Sequence, residues 1–426
     1  MNFLQSTNRK TGIKQQKTSD YDLSKLGIDK VNSLRIVNNI DELKKHPHNI
    51  IIAESTRDVE FTQNRSKKQR LKKKGKYVMG LGMFEQLHLD PRNLKDKILK
   101  PASIKFNSLY KQYQGQDLTN KTLLVWRTGG IGDLLFIQPN LIYLKQKYPT
   151  CKIKFACGPQ YQSMVKAWAF IDEVLDLPFG FQKLIQSDYH VIFEGVIERT
   201  KQSETENAYN LFSKWMGLDL SNDLLQPKQE PKKETLNEVQ NKIEELGFKG
   251  KDFILLQLKA SSPIRTPSPD VWLKIVNELL KDGNKIIITD APHNSDMVNK
   301  FLEKVDQKYI NKDIFNFSPY SLELDYGVAL CSLAKIVVGT DSAMMHIAAS
   351  LDVPCMGVYG PFPGEIRLSL YKNSDWVNCK KECSPCFSHM NTPCKNSKGG
   401  YSQCYENIDI NEFITKFRKV LENANK

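Results

Sequence analysis

The stretch that decides the fold is Ile336-Val337-Val338-Gly339-Thr340-Asp341-Ser342-Ala343-Met344-Met345-His346-Ile347-Ala348-Ala349. Its apolar start, Ile336–Val338, reads as a buried strand. A small polar turn and then a helical pattern follow. A helix that opens just past a strand end leaves backbone N–H groups unpaired there, which is the geometry of an anion site. Asp341 and Ser342 are helix-capping types, and His346 falls one turn on, on the same side as Ser342. A plain capped helix with a core histidine fits the same letters, so the neighbouring segments must decide.

Outward from this point the same grammar repeats. Phe253–Leu258 reads as a strand and Asp270–Lys281 as a helix with Val271, Trp272, Ile275 and Leu279 on one face. Lys285–Thr289 is a strand, Ser295–Val305 a helix and Cys355–Tyr359 a strand, and Ile408–Glu422 closes as an amphipathic helix. Upstream, Thr122–Trp126, Lys152–Cys157, Glu173–Leu177 and His190–Gly195 read as strands, with helical patterns at Asp133–Lys147 and Tyr161–Phe170 between them. Alternation of this kind marks βαβ units and a parallel sheet. Leu225–Thr235 carries two prolines and many charges and reads as a linker or exposed loop. The expectation is an α/β chain of two Rossmann-like domains facing a cleft, over residues 121–245 and 246–426, with a Cys-rich segment at 379–404.

Residues 1–120 differ. Leu34–Val37 and Asn49–Ala53 are small apolar patches around the helix-like Asp41–Lys45. The run Arg65–Lys76 holds eight basic residues and no acid. Such blocks stay solvated and disordered as a rule, so the segment is expected to be an accessory one with a small fold at best. The net charge of +13 favours anionic partners: nucleic acid, a membrane surface or phosphorylated substrates. No run of about 18 apolar residues marks a membrane span, and Met1–Lys17 lacks the apolar core of a signal peptide. The chain reads as cytoplasmic, with attachment to the inner face of a membrane open through the basic run.

Three loops carry groups suited to chemistry. Arg127-Thr128-Gly129-Gly130-Ile131-Gly132-Asp133 directly follows a strand. Gly129, Gly130 and Gly132 permit tight turns and close approach to backbone, and neither a dinucleotide fingerprint nor a P-loop is present. Asp133 is either a helix N-cap or a general base at the sheet edge where α/β folds place ligands. Gln257–Pro269 offers Lys259, Ser261, Ser262 and Arg265, cations and hydroxyls that suit phosphate oxygens. Asp290–Asp296 supplies acids that suit ribose hydroxyls, or a solvated loop.

Together these segments resemble the heptosyltransferase-like glycosyltransferases of family 9, which act in lipopolysaccharide synthesis and have the GT-B fold. The resemblance rests on Arg127–Asp133 with Gln138-Pro139, on Gly339–Ala349 with Val353-Pro354 and Tyr359-Gly360-Pro361, and on the helix start at Asp270–Trp272. It covers about residues 121–424. It implies a transferase that moves a heptose-like sugar from a nucleotide-diphosphate sugar, ADP-heptose foremost, to a glycan or lipid-linked saccharide. Asp133 matches the catalytic base. Arg265 falls where the family has a lysine on the donor diphosphate, Ser261 matches a hydroxyl near it, and Asp296 falls near the ribose acid. Asp341, Ser342, Ala343 and His346 match the diphosphate turn, with Ala343 in place of the commoner glycine. Lys259 joins this cationic set by position, and the glycine loop stands on the acceptor side.

No Asp-x-Asp pair is evident at a strand end, so an inverting reaction that requires no metal cofactor is expected. Arginine for lysine at 265 keeps the charge but changes its hydrogen-bond geometry, so an inactive relative that binds sugar or nucleotide is the alternative. A nucleic-acid-associated protein acting through residues 65–76 is a second one, disfavoured because the run has no aromatic residue to stack a base. Five of the nine cysteines fall at 379, 383, 386, 394 and 404. Cys383, Cys386, Cys394 and Cys404 have the spacing of a structural zinc or cluster site; free thiols are the other reading. The resemblance favours a structural feature over a catalytic one.

Overall fold

The computed structural model describes residues 50–62, 68–80, 83, 87, 99–101, 111–389 and 393–424. Leu34–Val37, Asp41–Lys45 and the first residues of the basic run lie outside them. The chain divides into two compact units, residues 1–203 with 210–220, and residues 204–209 with 221–426.

The first unit opens with β1 (Ile50–Ser55), β2 (Val59–Thr62), β3 (Lys68–Leu71), β4 (Lys76–Gly80) and β5 (Leu99–Pro101). Here the basic run, expected to stay disordered, takes part in sheets from Lys68 onward while its described lysine and arginine side chains remain exposed. Lys68–Leu71 pairs antiparallel with β2, and Lys76–Gly80 pairs with β1. The reason is alternation: Lys68 and Arg70 face out while Gln69 and Leu71 are buried. Leu71 packs with Ala53, Phe61, Met79, Leu87 and Leu99 in a small core of its own.

The Rossmann-like sheet of this unit comprises β6 (Lys111–Gln112), β7 (Thr122–Trp126), β8 (Lys152–Ala156), β9 (Glu173–Leu175) and β11 (Tyr189–Ile192), in the order β6-β11-β7-β8-β9, all parallel. Helix α1 (Ile131–Lys147) follows β7. The short β10 (Phe179–Gly180) leaves this sheet and pairs with β4. Val78 is buried with Leu124, Trp126, Leu177, Phe179 and Ile192. The N-terminal sheet therefore shares a core with the Rossmann-like sheet.

The second unit is built on six parallel strands: β12 (Phe253–Leu256), β13 (Lys285–Ile288), β14 (Ile314–Asn316), β15 (Ile336–Thr340), β16 (Cys355–Tyr359) and β17 (Ser374–Asn378). Their spatial order is β14-β13-β12-β15-β16-β17, the 3-2-1-4-5-6 order of a dinucleotide-binding sheet. The central strands β12, β15 and β16 are buried at every position, as a sheet covered on both faces requires. Helix α2 (Pro269–Lys281) is capped by Ser268, opens on proline and buries Val271, Trp272, Ile275 and Leu279, the face read from the sequence. Helix α3 (Ala343–Ser350) follows β15, and α4 (Ile410–Ala424) closes the chain. Trp272, Phe413 and Phe417 join Ile254, Ile286 and Val338 in one core. Leu225–Thr235 is loop only up to Lys232, after which the helix Lys233–Glu245 begins.

Candidate functional site

In parallel sheets a ligand crevice opens where strand order reverses, because the loops on either side leave in opposite directions. The first unit reverses between β7 and β11. The loop after β7 holds Arg127, whose side chain is 4% exposed. Its Nη2 donates to Asp133 Oδ2 at 2.8 Å, its Nη1 to the Phe193 carbonyl at 2.9 Å and its Nε to the Gly129 carbonyl at 3.1 Å. Glu198 Oε1 lies 2.5 Å from Nη2 and Glu194 Oε2 3.9 Å from Nη1. Glu194 also accepts from the Thr128 amide. Burial works against the Arg127 charge, but Asp133, Glu198 and Glu194 outweigh it and hold the guanidinium well above its usual range. Burial pushes the Glu194 carboxyl up, with Arg127 opposing.

Asp133 is not an N-cap. The helix begins at Ile131 with Gly130 before it, so Asp133 is the third helical residue and its carboxylate turns back to Arg127. The glycines have separate reasons. A Cβ on Gly129 would meet the Tyr161 ring at 2.1 Å, and Gly130 has φ 61° with Asp133 Oδ2 2.7 Å from where its Cβ would be. Gly132 lies within the first turn of α1. Glu194 and Glu198 were missed in the sequence. Glu194 lay inside the stretch His190–Gly195 read as a strand, whereas β11 ends at Ile192.

The second unit reverses between β12 and β15, so the loop after β12 meets the turn Asp341-Ser342. Arg265 Nη1 lies 3.2 Å from Asp341 Oδ2 and 3.1 Å from the Asp341 carbonyl, and its Nη2 donates to Ser261 Oγ at 2.9 Å. Three expected residues are thus joined. The backbone of this loop is held as well. The Arg265 carbonyl accepts from Thr340 Oγ1 at 2.8 Å and Tyr405 Oη at 3.1 Å, and the Ile264 carbonyl from Ser402 Oγ at 2.8 Å. Lys259 Nζ reaches Asn294 Oδ1 at 3.4 Å.

Four of these residues have surroundings that the sequence did not give. Asp341 is 4% exposed and serves as the counter-ion of two guanidiniums, Arg265 and Arg367, the latter Nε 3.5 Å from Oδ1. Burial pushes its carboxyl up, but Arg265 and Arg367 overcome that and hold it at about 2. Ser342 occupies the N-cap position without capping; its Oγ donates to Gln257 Oε1 at 2.7 Å. His346 is 4% exposed, with Nδ1 2.7 Å from Tyr371 Oη. Burial, with Arg367 and Arg265 and against Asp341, lowers its pKa to about 4, so it is a neutral ring. Asp296 is exposed on the first turn of the helix Ser295–Leu302. Ala343, the first residue of α3, is half-buried. Arg367, stacked 4.6 Å over the Phe362 ring, carried no signal in the sequence because only the fold brings it to Asp341. Two arginines, one aspartate and a neutral histidine leave one net positive charge at a helix start.

Cys383, Cys386, Cys394 and Cys404 line one cavity with Ile264, Pro361 and Ser402. Cys379 shares a hydrogen bond with Cys404, which favours the Cys404 thiolate and pushes the Cys379 thiol up. Asn396 approaches two of the sulfurs, its amide 3.4 Å from Cys394 Sγ and its Nδ2 4.0 Å from Cys383 Sγ. Among the described residues no three His, Cys, Asp or Glu side chains converge on one ion position. Among them, too, no helix is long and apolar enough to cross a membrane.

Residues 190–396 match the family model of glycosyltransferase family 9 (heptosyltransferase). No curated protein sequence matches the chain. Among solved structures, ADP-heptose lps heptosyltransferase II of E. coli is 14% identical, with 72% of this chain and 100% of that chain covered and a TM-score of 0.56. The iron-containing dodecameric glycosyltransferase TibC of enterotoxigenic E. coli H10407 is 11% identical, with 88% and 97% covered and a TM-score of 0.51. TibC in complex with ADP-D-beta-D-heptose is 12% identical, with 89% and 97% covered and a TM-score of 0.50. At these identities the structures speak for the fold, and the family model speaks for the kind of enzyme. Over residues 190–396 the chain is similar to glycosyltransferase family 9, its fold is the GT-B fold of the heptosyltransferase structures, and together these support a glycosyltransferase.

Proposed function

We propose that this enzyme transfers a heptose-like sugar from a nucleotide-diphosphate sugar of the ADP-heptose kind to a hydroxyl of a glycan or lipid-linked saccharide, with inversion. The observation that carries the reading is the positive cluster at the β12/β15 reversal, where Arg265 joins Ser261 and Asp341 beside the open end of α3. A leaving diphosphate needs fixed donors and positive charge in the transition state. Arg265, Ser261, Lys259 and the α3 N–H groups supply them, while Asp341 and Ser342 hold Arg265 and Gln257 in place. TibC has been solved with ADP-D-beta-D-heptose, which supports the donor class.

Asp133 would act as the base. As the acceptor oxygen forms its bond to the anomeric carbon, the bond from that carbon to the diphosphate breaks. The hydroxyl proton passes to Asp133, and the electron pair leaves with the nucleoside diphosphate. Arg127 pins one carboxylate oxygen of Asp133, and Glu194 and Glu198 share the charge of that guanidinium. In this reading no metal enters the transfer step. Asp133→Asn tests it: transfer should fall by about 10²–10⁴, with ADP binding within twofold of wild type by calorimetry. Transfer at the full rate, or an unmodified protein that binds no nucleotide or nucleotide-sugar, refutes the reading.

The four cysteines of the cavity would hold a structural iron or zinc ion as thiolates. The shared cavity and the iron in TibC support this, and the sulfurs, which do not converge on one point, would have to close in to reach an ion. Metal analysis of the purified chain and of Cys383→Ser/Cys386→Ser separates an ion from free thiols. The exposed Lys68, Arg70, Lys72, Lys73, Lys74 and Lys76 favour contact with an anionic membrane carrying the acceptor.

A further inference from the structure

His346 is held in one orientation by a residue that the transfer reaction itself does not call upon. Tyr371 Oη lies 2.7 Å from His346 Nδ1 and 2.9 Å from Tyr209 Oη. Both ring pairs are edge-on, at 6.0 Å and 71° with His346 and at 5.9 Å and 80° with Tyr209. All three residues are buried. The backbone of Tyr371 is fixed, its amide donating to the Leu368 carbonyl at 2.8 Å and its carbonyl accepting from Ser374 Oγ at 3.0 Å. The phenol therefore cannot drift away from the ring nitrogen.

A phenol has one hydrogen and here has two neighbours. Either Tyr209 donates to Tyr371 and Tyr371 to His346, or the chain runs the other way. The chemistry chooses the first. A phenol O–H is a stronger donor than an imidazole N–H, and the bare sp² ring nitrogen is a stronger acceptor than a phenol oxygen. A charged ring, which donates from both nitrogens, is opposed by burial and by Arg265 and Arg367, with Asp341 as the one opposing carboxylate.

We infer that Tyr371 is the positioning residue that fixes the tautomer of His346, so that Nε2 carries the proton and the ring acts as a neutral N–H donor. The consequence for the donor site rests on the diphosphate reading above; the tautomer does not. A neutral donor at the start of α3 adds a hydrogen bond without a charge that titrates, so its contribution is constant between about pH 5 and 8. The positive charge there comes from the arginines alone.

Nitrogen NMR of the full chain labelled with ¹⁵N-histidine tests this directly, with His346→Gln identifying the signal among the seven histidines. The expected spectrum shows a protonated Nε2 and an unprotonated Nδ1 across that pH range. Tyr371→Phe should release the ring into a mixture of both tautomers and weaken ADP binding about five- to tenfold, a tautomer change that a purely structural tyrosine would not produce. A wild-type ring protonated at Nδ1, a doubly protonated ring at neutral pH, or an unchanged tautomer in Tyr371→Phe overturns the inference. Should Tyr371→Phe not fold, the wild-type spectrum alone decides. Failure of ADP to bind wild type, with the tautomer as expected, removes the donor reading and leaves the tautomer assignment standing.

Discussion

Asp133, Asp341 and His346 were all read from the sequence as groups that meet a ligand, and only their surroundings separate them. Asp133 is partly exposed and shares its guanidinium with two other acids. Asp341 is sealed between two arginines. His346 is buried and neutral. Residue type and spacing bring a residue to a loop; they do not report how many cations surround it. The acid side of the stability profile follows from the same groups. His346 and His190 titrate at about 4 in the fold against 6.5 when unfolded. Their folded pKa values are depressed, so the unfolded chain binds more protons between those limits and stability falls as pH drops from about 6.5 towards 4. Asp341, at about 2 against 3.8, adds a further loss below pH 4. The melting temperature should therefore decline through this window, and His346→Gln should flatten part of the decline. Equal slopes in variant and wild type would contradict it. Arg367→Met removes one partner of a buried ion pair and should cost about 3 kcal/mol in chemical denaturation.

At the scale of elements, the strands and helices of residues 121–426 were legible because their patterns are strong. FILL, KIII and IVVGT are continuous apolar runs, and α2 announces itself by Ser268, Pro269 and a clean face. The N-terminal strands were hidden by the density of lysine. Only the alternation in Lys68–Leu71 betrays β3, and its partners come from elsewhere in the chain. Glu194, Glu198 and Arg367 were illegible for a related reason, since their roles depend on which strands become neighbours. Gly129→Ala tests the glycine loop at this scale. Its Cβ would stand 2.1 Å from Tyr161, so the loop must shift and destabilise the fold by about 1–3 kcal/mol. Transfer should suffer more than ADP binding, because Arg127 loses its bond to the Gly129 carbonyl.

For the molecule as a whole, the N-terminal strands are a cover rather than an appendage. Val78 is buried among Leu124, Trp126, Leu177 and Phe179, and β10 has β4 as its partner. A chain starting at residue 102 would expose that apolar face and leave β10 unpaired. It should bind a hydrophobic dye and aggregate, where the full chain stays dispersed; a monodisperse, dye-negative truncation would contradict this. The loop that carries Arg265 has a last consequence. Its two carbonyls are gripped by Thr340, Tyr405 and Ser402, so the guanidinium stands on a backbone set by the fold itself. Most of the ordering is done by folding and little is left for binding. If this loop holds the donor as proposed, it serves as a seat and not a lid, and capture of the donor should show no slow isomerisation of its backbone.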